Sequence, residues 1–261
     1  MTEFWNAWNW NPLVGGFLAL VGWRYMDGVW RLWRRAGAGR GVHQWQVAAF
    51  WSSVIVLFIA LISPIDIWST TSLSMHMIQH LLLMVLAPSL MVLGLPPIAR
   101  ISMLPMPWRR DFVHWWHRQH FLKQAWKWLT APFTTWGLYA LVLWIWHLPS
   151  LYEAAVVNPI VHMIEHSSFF GTALLFWWAI AQHRVLGIFL VFTTAIHSSI
   201  LGALMTFSDQ VWYPLYGSFQ DQQLAGLIMW MSGGSVFLVA GLLLLWQWLY
   251  EMEKNDAKIS I

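Results

Sequence analysis

The basic residues of this chain alternate along it in a way that leaves few folds open. Seven apolar segments of about twenty residues can be marked at 13–33, 45–62, 72–93, 132–147, 160–181, 186–207 and 224–250. All 14 lysines and arginines fall toward the same side of these segments, Arg24 from within the first of them. Arg24, Arg31, Arg34, Arg35 and Arg40 gather around the first connection. Arg100, Arg109, Arg110, Arg118, Lys123 and Lys127 lie in the third, Arg184 in the fifth, and Lys254 and Lys258 in the tail. The stretches 1–12, 63–71, 148–159 and 208–223 have none. About twenty apolar residues are what a helix needs to cross a hydrocarbon core roughly 30 Å thick. In lipid, only helices and closed barrels satisfy their own backbone. The pattern predicts an all-α integral membrane protein, one domain over residues 1–261, with seven transmembrane helices. Under the positive-inside rule its N-terminus is outside and its C-terminus cytoplasmic.

Composition agrees: 59% of residues are hydrophobic and 10% charged, against about a quarter charged in soluble domains. The net charge of +3 does not point to nucleic acid, because the cations lie at the ends of membrane segments. The first twelve residues lack the basic start of a cleaved signal peptide. The first segment is the most polar, holding Arg24 and Asp27, and Arg24 is expected to snorkel outward. The long connection 94–131 mixes cations with Trp108, Trp115, Trp116, Trp126 and Trp128, and reads as an amphipathic piece on the inner membrane surface.

With no cysteine, thiolate metal sites and disulfides are excluded, leaving His, Met and carboxylate as possible ligands. Of the 11 histidines, His43, His114, His117, His120 and His183 sit in inner connections and read as interfacial residues. The other six concentrate at one depth. His76 and His80 open the third segment at i,i+4 spacing, which puts both rings on one helix face, with Met84 continuing that face. His162 and His166 open the fifth segment at the same spacing. His147 ends the fourth, and His197 lies about ten residues from the outer end of the sixth. At 1.5 Å per residue, all six lie in the outer half of the bilayer. An ionisable group inside a membrane is by default functional. Imidazoles with nearby thioethers suit copper, with zinc or haem iron as alternatives. Glu165, between the second pair, reads as a carboxylate orienting an imidazole, and Asp66 can act likewise. With Glu3, Glu153, Asp209 and Asp221 it makes the outer side acidic and attractive to cations.

The blocks SPIDIWS, SMHMIQHLLLMVLAP, WHLPSLYEAA, HMIEHSSFF, HSSILGAL, WYPLY and DQQLAGLIMW, in order over residues 63–230, resemble the CtaG family of seven-span cytochrome c oxidase assembly factors. The resemblance implies a non-enzymatic bacterial inner-membrane protein that helps deliver copper to a haem–copper oxidase. Its partners would be oxidase subunits or a periplasmic copper chaperone, within membrane lipid and with no nucleic acid. It places the family's histidine-bearing blocks on the same six histidines, and draws attention to Asp221, Gln222, Gln223, Met229 and Trp230. Two other readings compete. HMIEH matches the H-x-x-E-H pattern of zinc hydrolases, with Glu165 as base, and histidines on separate helices can ligate haem in a b-type cytochrome. The chain has no G-x-S-x-G elbow and no phosphate-binding or dinucleotide glycine motif.

Overall fold

The computed structural model describes residues 8–259, and among these all regular structure is helical. Glu3 and the side chains of Arg109, Arg110 and Lys258 lie outside the described residues. Helix α1 spans Pro12–Ala36, α2 Gln44–Leu61, α3 Pro64–Trp68 and α4 Leu73–Gly94, the last with a π turn at Leu82–Leu86. The 94–131 connection folds into α5 (Pro97–Ser102), α6 (Met106–Arg118) and α7 (His120–Leu129). Then come α8 (Pro132–Trp146), α9 (Pro149–Val157), α10 (Pro159–Gln182) and α11 (Arg184–Phe207). Helix α12 begins at Phe219–Ile228, passes a π turn at Met229–Gly233 and continues over Gly234–Ile259. Prolines open α1, α3, α5, α8, α9 and α10, where the missing N–H costs nothing and the fixed φ suits the first turn.

Among the described residues, four helices are long and apolar enough to cross a membrane: Gln44–Trp68, Leu73–Gly94, Arg184–Phe207 and Phe219–Asn255. A fifth forms if His120–Leu129 and Pro132–Trp146, bent by 63° at their junction, count as one. The other expected spans are helical, and chemistry explains their lower hydropathy. Helix α1 has 25 residues but carries Arg24, Asp27, Arg31, Arg34 and Arg35. Helix α10 has 24 but carries His162, Glu165 and His166. Helix α8, with 15 residues, is only about 22 Å long. Arg24 reaches the 94–131 connection. Its Nε donates to the Met103 carbonyl at 2.9 Å, its Nη2 reaches the same oxygen, and Asp27 pairs with Arg31 at 2.8 Å. The first helix is thereby tied to the α5–α6 junction.

Helix α4 is the axis of the molecule. One apolar cluster joins its N-terminal half (Leu73, Met77) and Met84 to residues of α8, α10, α11 and α12. A second joins Leu83, Ala87 and Met91 to α1 and α2. Because α4 is buried on both sides, its polar residues must find partners within the protein. Helices α11 and α12 cross at Gly202 and Gly226. A Cβ on Gly202 would stand 2.8 Å from the Gly226 carbonyl oxygen, and one on Gly226 2.6 Å from that of Gly202. This backbone approach, which only glycine permits, holds the start of α12 beside the start of α4.

Candidate metal centre

His76 and His80 lie on the inward face of α4, 1% and 2% exposed, with ring centroids 4.3 Å apart. Helix α10 packs alongside and presents His162, Glu165 and His166. Its i,i+4 pair has centroids 3.9 Å apart. The two pairs face each other: His80 and His166 are 5.6 Å apart by centroid, His76 and His162 5.5 Å. Glu165 is fully buried, its oxygens 3.8 Å from His76 Nε2 and 3.6 Å from His80 Nε2. One ligand atom from each of His76, His80, Glu165 and His166 lies within 4.8 Å of the other three. Atoms on opposite sides of an ion with bonds of about 2.1 Å lie about 4.2 Å apart, so small side-chain movements bring this set onto one ion.

The hydrogen bonds indicate which atoms are free for it. Tyr216 Oη donates to the Ser69 carbonyl at 2.9 Å and stands 2.6 Å from His76 Nδ1. Burial first, and then the Glu165 carboxylate, push the Tyr216 phenol upward, so it stays protonated. With its proton on Ser69, the hydroxyl accepts from His76 Nδ1–H, and the lone pair of His76 is on Nε2, facing the pocket. His147 Nδ1 stands 2.7 Å from the Leu143 carbonyl, which can only accept, so its lone pair is also on Nε2. Buried and without a hydrogen-bond partner are Nε2 of His76, His147, His162 and His166, both nitrogens of His80 and both oxygens of Glu165. Each such atom costs about 1–3 kcal/mol. Native structures hold few of them per hundred residues, and eight of the sixteen found among the described residues belong to this one group of side chains. Three imidazoles and a carboxylate suit copper, zinc or iron, so the residues fit a metal ion.

Other sequence-nominated residues take different places. Glu165, expected to orient a ligand, is itself in the converging group. His162 flanks that group beside His166, and His147 is 6.1 Å from His80 by centroid. Met84 lies below His80, lining a small cavity with it and Met229. His197 stands apart, its ring 6.1 Å from that of Trp136 on α8. The buried stripe of α11 runs through Thr194, Ser198, Leu201 and Met205, and the residue before Ser198 points about 100° away from it. Asp66 accepts from two side-chain amides, Asn9 at 2.6 Å and Gln79 at 2.7 Å. Asp221 and Glu153 accept from backbone N–H groups, Asp221 from Leu73 and Glu153 from Leu215.

The residues that hold the pocket together were not legible as such. Asp221 accepts from Leu73 N at 2.6 Å and Ser74 N at 3.2 Å, which caps α4 one turn before His76. Tyr152 packs on His76 at 4.8 Å by centroid, and Tyr213 donates to the His147 carbonyl at 2.8 Å. The resemblance pointed to Asp221, and the three tyrosines stand in the blocks WHLPSLYEAA and WYPLY, but no block names a partner, and that of Tyr216 lies 147 residues away. Removing one hydroxyl tests this. Tyr216→Phe is expected to lower metal affinity about 10- to 100-fold while leaving the fold intact, as read by titration against a chelator. An unchanged affinity would show that Tyr216 does not set the His76 ring.

Comparison with known proteins places this geometry. The chain is 23% identical over 288 aligned positions to "Uncharacterized protein ML1998" of Mycobacterium leprae (strain TN), an alignment covering 100% of this chain and 42% of that protein. The chain thus spans less than half the length of this relative. No solved structure matches it. The family model described as "Cytochrome c oxidase caa3 assembly factor (Caa3_CtaG)" matches residues 23–251, which include all the histidines of the pocket and the helices that carry them, and the chain belongs to that family.

Proposed function

We propose that this protein binds one copper ion as cargo in the pocket of His76, His80, Glu165 and His166, with His162 and His147 at its edge, and assists maturation of a copper centre of cytochrome c oxidase. The protein acts without catalysing a reaction of its own. It sits in the bacterial inner membrane as one seven-span domain, N-terminus outside, with the pocket in the outer half and the 94–131 helices at the inner surface. Its partners are oxidase subunits or a copper chaperone on the outer side.

One observation carries the metal reading: buried nitrogen and oxygen atoms from α4 and α10 meet without hydrogen-bond partners. The choice of copper among the metals this donor set suits is supported by the family's described role in cytochrome c oxidase assembly. The topology rests on the segregation of the basic residues. The residues' part is to hold the ion. His76 is oriented by Tyr216, His147 by Leu143, and Glu165 supplies negative charge that offsets part of the ion's own.

Elemental analysis and a visible spectrum of the detergent-purified protein test the reading. About one copper per chain and no Soret band are expected. Zinc, with a lipid amidase or esterase activity lost on Glu165→Gln, would replace it with the hydrolase reading, and a Soret band with the b-type cytochrome.

A further inference from the structure

At the end of the bundle opposite the histidines, an open groove of about 640 Å³ runs between the inner ends of α4 and α10 and the second half of α12. This is within the size range of small-molecule sites. From His80 to Gly94 along α4 is about 20 Å, so the groove is separate from the metal pocket. Its length is lined by Val92, Leu93, Val236, Val239 and Leu243, of which Leu93, Val239 and Leu243 are exposed. Its inner end is polar, with Arg100 and the amides of Gln46, Gln182 and Gln247.

Arg100 is the informative residue. Its guanidinium lies 3.5 Å over the Trp178 ring, which fixes its place. The Nε–H is buried without an acceptor, and among the described residues no acidic side chain pairs with it. Nearby cations differ: Arg184 pairs with Glu251, and Arg31 with Asp27 and the Ser102 carbonyl. A guanidinium fork lacking an anion is matched by phosphate, which it binds through paired N–H donors. An apolar channel running from that fork is matched by an acyl chain. Basic pockets between membrane helices bind anionic headgroups by this combination.

We propose that this groove binds one anionic phospholipid, its phosphate on Arg100 and an acyl chain along Val92, Val239 and Leu243. The site is independent of the metal pocket.

Native mass spectrometry of the detergent-purified full chain, titrated with phosphatidylglycerol, phosphatidylcholine or inorganic phosphate, tests it. One phosphatidylglycerol per chain is expected, held about tenfold more tightly than phosphatidylcholine. Arg100→Gln is expected to erase that preference. Val239→Trp, which keeps the charge and fills the channel from an exposed position, is expected to weaken both lipids. Helical circular dichroism and a cooperative thermal transition in detergent report that each variant is folded, and either variant alone suffices if the other does not fold. The proposal is overturned by equal binding of the two lipids to the wild type. It is also overturned if a folded variant binds phosphatidylglycerol as the wild type does, if inorganic phosphate alone displaces the lipid, or if a second copy of the chain occupies the groove.

Discussion

Replacing His76 and His80 together with alanine is expected to abolish stoichiometric metal binding and, with it, the stabilisation that metal gives. The two side chains supply half of the four converging ligands, and no cysteine can substitute. In the wild type, an ion bound only by the folded state adds about 4 kcal/mol at a thousand times its dissociation constant. For a chain of this size that is a rise in melting temperature on the order of 10 °C. The double variant should show no such rise. Its metal-free form should lose less stability than two buried-residue truncations usually cost. Truncation leaves a cavity, but it also removes buried nitrogens that lack partners in the absence of metal. Thermal unfolding in detergent with and without Cu(I), alongside elemental analysis, reads both effects. Metal still bound one to one by the folded double variant would refute the site.

The second large effect is expected far from the metal. Gly226→Val places a Cβ 2.5 Å from Thr206 Oγ1 and 2.6 Å from the Gly202 carbonyl oxygen. The carbonyl is helix backbone and cannot turn aside, so α11 and α12 must separate. Overpacking of this kind costs about 1–3 kcal/mol and sometimes more, and a β-branched side chain against a helix backbone belongs at the upper end. The displacement also moves Asp221, one and a half turns earlier on α12, off the N-terminus of α4. Gly226→Val is therefore expected to lower both thermal stability and metal affinity, although residue 226 is no ligand. Gly137→Ala is the control. Its Cβ meets nothing within 4 Å, and alanine in a helix interior is favoured by about 1 kcal/mol. If Gly226→Val behaves like the control, the close crossing does not position the pocket.

Much of the site was readable because the signal is local. Residues four apart share a helix face whatever packs against it, so His76 with His80, and His162 with His166, were pairs before any fold existed. The level of each ring and the rotation of each helix were not readable in this way. Helix α11 turns Thr194 and Ser198 inward and leaves His197 beside Trp136, near the start of α8, whereas His147 ends that helix. Glu165 read as a carboxylate orienting an imidazole, but α10 is rotated so that residues 162, 165 and 166 all face α4 and Glu165 joins the converging group. Asp66, close to His76 in sequence, went to Gln79 instead. Asp221 and Tyr216 carried no motif that predicts a contact with residues well over a hundred positions earlier.

The amino-acid order alone therefore determined that the chain is helical and membrane-embedded, and that two helices each carry a histidine pair. Apolar length, charge placement and helical period are properties of one segment at a time. The tertiary structure decided which nitrogens and oxygens face one another, which tyrosine and which carboxylate hold them, and which histidine is left out. Those outcomes depend on how each helix is rotated about its axis. That rotation is set by close contacts between segments distant in the chain, such as Gly202 against Gly226, and not by anything within one of them.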